Sequence, residues 1–155
     1  MNFNDVLNTA VASVERPPLI PIGSYKAFVE KVPSIDTIAD GRFDVCDFQM
    51  NIVSALEDVD ADELKKFGKV SGVRRRLRFM FNRDPEEKLN FDRSVYNLKR
   101  FLIDHLKIED SGDDKFKQML NSAVNKSCVI VMGYRPDKAN PEIMYDEITK
   151  TAPLE

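Results

Sequence analysis

Nine residues in the middle of the chain, Val73 to Phe81, alternate with the period of a β-strand, and no helix accommodates that pattern. Val73, Leu77, Phe79 and Phe81 fall on one side with Arg75 among them, and Arg74, Arg76, Arg78 and Met80 fall on the other. Three arginines then project from one face of a sheet at steps of about 7 Å. Such a row repels itself and needs an anion opposite it. That anion is either a phosphate-bearing ligand or a carboxylate on a neighbouring strand, with Glu30, Asp44 and Asp47 as candidates.

Charge is segregated around this strand. Residues 65–107 carry 13 basic and 5 acidic side chains, residues 1–64 carry 4 and 12, and residues 108–155 carry 6 and 9. The net charge of −3 therefore hides a basic middle inside an acidic frame. The 43% apolar and 32% charged residues in a 155-residue chain are those of a globular domain. No apolar run approaches the roughly 18–20 residues of a membrane span, so no membrane partner is expected. Met1 to Glu15 has neither a basic block nor an apolar one, and no signal peptide is expected there. Cys46 and Cys128 lie in apolar stretches, which suits reduced thiols in a cytoplasm and offers no zinc spacing.

The first 22 residues read as an arm. Phe3, Val6, Leu7, Ala10, Val11 and Val14 have helical spacing, and the prolines at 17, 18 and 21 impose an extended lead-in. Residues 23–155 read as one domain. A strand from Ser24 to Val32 sets Tyr25, Ala27 and Val29 against Lys26, Phe28 and Glu30, and residues 36–41 turn through Asp40-Gly41. A second strand, Arg42 to Ala55, shifts its apolar phase between Val45 and Cys46, as a β-bulge would. Residues 57–68 are acidic, then helical, with Gly68 as the stop. Two helices follow the arginine strand, with Asp92 and Asp113 as caps. The first buries Val95, Leu98, Leu102 and Leu106, and the second turns Phe116, Met119, Leu120 and Ala123 inward. Strands at 127–134 and 141–149 complete the order of arm, three strands, two helices and two strands. That order fits a five-stranded, bent antiparallel barrel of the oligonucleotide-binding (OB) type, mainly β, with two helices between strands 3 and 4.

Catalytic patterns are missing. There is no phosphate-cradling glycine loop and no nucleophile elbow. His105, the single histidine, reads as a packed residue on the inner side of a helix. Asp58, Asp60 and Asp62 open like a calcium loop, but Glu63 stands where glycine is required and Lys69 where glutamate is required. No catalytic residue, cofactor or metal is assigned, and the chain is expected not to be an enzyme.

Several short words resemble a known family. They are Pro21-Ile22-Gly23-Ser24-Tyr25 at the first strand, Arg78-Phe79-Met80-Phe81-Asn82 closing the basic strand, the helix Leu98 to Leu102, Val129 to Val131, and Ala152-Pro153-Leu154. From Pro17 to Leu154 the layout is similar to small phage-encoded single-stranded-DNA-binding proteins with an OB-like barrel. The resemblance implies sequence-tolerant binding of single-stranded DNA during phage replication or recombination, in the cytoplasm of a bacterial host. Replication or recombination proteins of phage or host would be the protein partners, and self-association through the arm stays open. The departures are the lack of a long acidic tail and the absence of tryptophan. In this reading Arg74, Arg76 and Arg78 track phosphates, with Lys26, Arg42 and Arg83 assisting. Phe28, and Tyr134 beside Arg135, stack on bases. Phe28 is alternatively a core residue. The competing class is a phage structural or interaction protein, a virion accessory or host-enzyme regulator, that binds no nucleic acid.

Overall fold

The computed structural model describes residues 2–155, with Met1, the first residue of the arm, outside the described residues. The chain forms a mixed α/β fold with six strands and four helices: α1 (Phe3–Leu7), β1 (Gly23–Val29), β2 (Ser34–Ile38), β3 (Phe43–Ala55), α2 (Ala61–Phe67), β4 (Arg74–Asn82), α3 (Lys88–Arg100), α4 (Phe116–Ser122), β5 (Ser127–Pro136) and β6 (Met144–Ala152). Short 3₁₀ turns precede β1 and α3, and a π-helical turn, Phe101–His105, extends α3.

All six strands belong to one antiparallel sheet. β3 organises it. One edge of β3 takes β4 from Phe43 to Asn51, while β2 pairs with residues 43–47 and β1 with residues 50–55. β1 then pairs with β5, and β5 with β6. No ladder joins β6 back to β4, so the sheet is open.

This corrects the expected closed five-stranded OB barrel in three respects. First, the segment after Pro33 is a strand of its own, because the turn is confined to Ala39–Gly41, where all three residues have positive φ. Second, four helices, α1 in the arm, α2 between β3 and β4, and α3 and α4 between β4 and β5, make the fold mixed α/β rather than mainly β. Third, helix α3 packs against β4 and its π turn against β6, on the core side of the sheet, and no ladder forms between those two strands. Phe79 and Phe81 of β4 meet Phe101 and Phe91 at ring distances of 5.4 and 5.9 Å. His105 bonds Thr151 of β6 through Nδ1 at 2.6 Å. Side chains, not main-chain bonds, span β4 and β6: Arg75 donates to Asp146 from Nε at 2.6 Å and from Nη2 at 2.9 Å.

The phase shift between Val45 and Cys46 is not a bulge either. The registers with β2 and β4 run through both residues without interruption, and the two buried side chains point to opposite faces, with Cys46 in the core cluster and Val45 outside it. The bulges fall instead opposite Lys26–Ala27 and Val131–Met132.

The core is built on the inner face, where Tyr25, Ala27 and Val29 of β1 meet Phe48, Met50 and Ile52 of β3 and Phe101 and Leu102 of the helix. Phe48 sits edge-on to both Phe79 and Phe101, at 5.7 and 5.0 Å, the geometry that aromatic quadrupoles favour. The buried Tyr25 hydroxyl donates to the Pro21 carbonyl at 2.7 Å, and burial pushes its pKa up to about 12. Gly23 begins β1 at φ +140°, and a Cβ there would stand 2.6 Å from Val59 Cγ2. Only glycine fits.

Helix boundaries follow local chemistry. Asp60 caps α2 by accepting from the amides of Asp62 (2.9 Å) and Glu63 (3.0 Å), and Gly68 ends it at φ +98°. Asp92 is not a cap. The turn opened by Asp84 and Pro85 starts α3 earlier, and Asp92 pairs with Lys88 at 2.8 Å. Nor does Asp113 cap α4, which begins at Phe116, and Phe116 itself is exposed.

Asp146 carries the seam. Besides both Arg75 contacts it accepts the Ile20 amide at 3.1 Å, and its side chain is 9% exposed. Asp146→Ala strands a guanidinium and a buried amide, so a loss of about 2–4 kcal/mol is expected in urea unfolding. Asp146→Asn, which keeps one acceptor, should lose less.

Candidate functional site

The outer face of the sheet gathers five of the nine singled-out residues. Alternation on β4 places Arg74, Arg76 and Arg78 outward, and β1 sends Lys26 and Phe28 to the same face. Phe28 is half-buried between Asn51 of β3 and Ser127 of β5, and Lys26 is also half-buried.

Two of the three arginines are engaged. Arg74 grips Glu30 from Nε at 3.0 and 2.9 Å and from Nη2 at 2.8 Å, and Glu30 also accepts from the side chains of Gln49 and Asn51. Arg78 grips Asp47 from Nε at 2.8 Å and Nη2 at 2.9 Å. Both are two-point guanidinium–carboxylate pairs, the strong form of the interaction. The Arg74 hydrogen bond holds the Glu30 carboxyl below its usual range, and the Arg78 hydrogen bond does the same for Asp47. Arg76 alone is exposed without an ion-pair partner among the described residues. The carboxylate alternative for the arginine row therefore describes this face: the acidic frame neutralises the basic strand across the sheet.

Of the remaining four, Arg42, Arg83 and Tyr134 lie apart from this group, and Arg135 borders it across a groove. Arg42 and Arg83 flank the β2–β3 turn, where they donate to the Ala39 carbonyl at 3.3 Å and the Gly41 carbonyl at 3.1 Å. Tyr134 donates its hydroxyl to the Ile20 carbonyl at 2.8 Å and so ties down the lead-in. Arg135 pairs with Glu147 at 3.1 Å and lies over the Tyr145 ring at 5.3 Å. Arg135 shares a groove with Arg76 and Arg78 but is committed there to Glu147, and Arg42, Arg83 and Tyr134 do not line that groove.

Single-stranded DNA binding is thereby corrected as the function. The barrel on which it stood is not closed, two of its three central arginines hold carboxylates, and its two aromatics are half-buried or hydrogen-bonded into the fold. The residues the sequence did not single out are Asp146 and Ile20. An arginine in the apolar phase of β4, Arg75, was the available signal that a buried carboxylate must face it.

No three His, Cys, Asp or Glu side chains gather among the described residues to hold a metal ion. Asp58 instead accepts the Ser24 amide at 2.9 Å and the Ser24 hydroxyl at 2.8 Å, which hold its carboxyl below the usual range. Burial lowers the pKa of His105 and raises those of the Cys46 and Cys128 thiols to about 11 and 12.

Charge reversal separates the arginines. Arg78→Glu should lower the thermal midpoint, since it places two carboxylates together on the face, while Arg76→Glu should leave stability within about 0.5 kcal/mol. The Asp47 pKa is lowered on folding, so its contribution is present above the unfolded carboxylate range and disappears as pH falls through the folded value. Asp47→Asn should accordingly flatten the acid limb of a stability–pH profile, read by urea midpoints between pH 7 and 3.

No protein-family model matches the chain, and no curated protein matches it. The resemblance to phage single-stranded-DNA-binding proteins thus finds support neither in the sheet nor in the comparisons.

Proposed function

We propose that the chain is a non-catalytic assembly protein of the cytoplasm whose N-terminal arm binds a second copy of the same chain. The observation that carries this reading is the arm itself. Phe3, Val6, Leu7, Val11 and Val14 are 71, 57, 67, 90 and 68% exposed, and neither helical piece of the arm buries a residue. Five large apolar side chains on one short segment form a recognition surface when a partner covers them.

The base of the arm is fixed. Arg16 donates to the Met144 carbonyl and lies over the Tyr145 ring at 5.0 Å, and Ile20 is fully buried. The arm thus starts from a set point on β6. The chain also carries an apolar acceptor, a cleft of about 210 Å³ between α3 and α4, lined by Leu102, Ile103, Phe116 and Met119 with Lys99, Asp110 and Asp114 also lining it. That volume takes one large apolar side chain of the arm. A second copy is the chosen occupant because one sequence supplies both the apolar segment and the cleft.

The non-catalytic assignment draws on the deployment of the reactive side chains. His105 is engaged with Thr151, and burial keeps both thiols protonated at neutral pH. The cytoplasmic assignment draws on two free, buried cysteines. No described helix is long and apolar enough to cross a membrane.

Sedimentation velocity tests the assembly. The wild-type chain should self-associate with rising concentration, and the double substitution Leu7→Asp, Val11→Asp should weaken association at least ~10-fold. The thermal midpoint should not move, since neither side chain is packed. A wild-type chain that stays monomeric at sub-millimolar concentration overturns the proposal.

A further inference from the structure

We infer that the unpaired edge of β4, from Arg76 to Met80, is a docking site for an extended, acidic peptide, which adds to the sheet as a strand. This goes beyond arm-mediated assembly and uses none of the arm's residues.

The first observation is the main chain. Ile52 donates to the Val73 carbonyl and Arg83 donates to the Arg42 carbonyl, which fixes the odd-numbered residues of β4 as those bonded to β3. By antiparallel alternation, the amides and carbonyls of Arg74, Arg76, Arg78 and Met80 point away from the sheet. The Arg74 carbonyl is taken by Arg75 Nη1 at 2.8 Å, so the open edge begins at Arg76. β6 presents its own outer edge alongside. Asp137 donates to the Ile143 carbonyl, so the main-chain groups of Met144, Asp146 and Ile148 face away from β5. Two strand edges thus stand unladdered on either side of one seam, which the Arg75–Asp146 pair pins at one end.

The second observation is the groove between those edges. It encloses about 570 Å³ and is lined by five basic side chains and two acidic ones. Both acids are already committed, Asp146 to Arg75 and Glu147 to Arg135, and Arg78 is held by Asp47. Arg76 and Lys138 have no ion-pair partner among the described residues, so the groove keeps a positive surplus. Met80, 41% exposed, and Ile148 give it an apolar floor. Main-chain donors and acceptors in register, alternate apolar contact and surplus positive charge together specify a β-strand ligand with acidic side chains on one face. A nucleic acid offers no amide ladder to such an edge.

Fluorescence polarisation with a labelled eight-residue peptide of alternating valine and glutamate tests the site on the full chain. Saturable binding is expected at low salt, and Arg76→Glu with Lys138→Glu should weaken it at least ~10-fold. Main-chain pairing is tested by N-methylating alternate peptide amides. One alternate set should abolish binding and the other should leave it intact. Met80→Pro removes an outward amide while sparing the β3 ladder, and it should also abolish binding with the circular dichroism spectrum unchanged. If that variant unfolds, the methylated peptides still decide the matter. No saturable binding, equal effects of the two methylation patterns, or equally tight binding of an oligothymidylate of the same charge overturns the inference. Repeating the titration with the Leu7→Asp, Val11→Asp chain separates the two proposals, because peptide binding should persist there whether or not the arm assembles.

Discussion

A carboxylate with three donors holds the two ends of this sheet in place. Asp146, near the start of the last strand, receives both arms of the Arg75 guanidinium and the amide of Ile20. Burying a charge is costly unless every lone pair is used, and here one residue ties β4, β6 and the lead-in to β1 into a single junction. Closing the sheet through main-chain bonds would require β4 and β6 to run side by side. No such ladder forms, so the junction is made by side chains and the edges beyond it stay unpaired.

Individual elements of this fold were legible in the sequence because each has a local physical cause. The alternation of Tyr25, Ala27 and Val29 with Lys26, Phe28 and Glu30 is the burial pattern of β1. Gly68 ends α2 for the reason that makes glycine a stop. Leu98, Leu102 and Leu106 face the core at helical spacing. The overall architecture was not legible in the same way. An ordered run of strands is compatible with a closed barrel or an open sheet, and the choice depends on whether the last strand comes into ladder register with β4. That is a property of tertiary packing, invisible to periodicity.

The arginine strand shows the same limit at a smaller scale. Period-two spacing fixed which arginines share a face, and β4 has them so. It left open whether a ligand or the protein supplies the opposing anion. The answer lies in cross-strand register, which sets Asp47 beside Arg78 and brings Glu30 to the same face from beyond β1. Register depends on turn lengths and bulges, such as those opposite Lys26–Ala27 and Val131–Met132, that have no clear signature in the chain. Charge segregation along the sequence was thus in part a record of which segments meet, and of the three outward arginines of β4 only Arg76 was left over from it.

The three two-point arginine–carboxylate pairs close loops of graded length. Arg78 and Asp47 are 31 residues apart, Arg74 and Glu30 are 44 apart, and Arg75 and Asp146 are 71 apart. The entropy of bringing two points of a chain together rises with the length between them, so the pairs differ in kinetic accessibility although their geometry is alike. Contacts along β3 can form within the first half of the chain before the last strand is positioned. The junction at Asp146 waits for every other element, and the same separation makes it the seam whose opening releases the most chain.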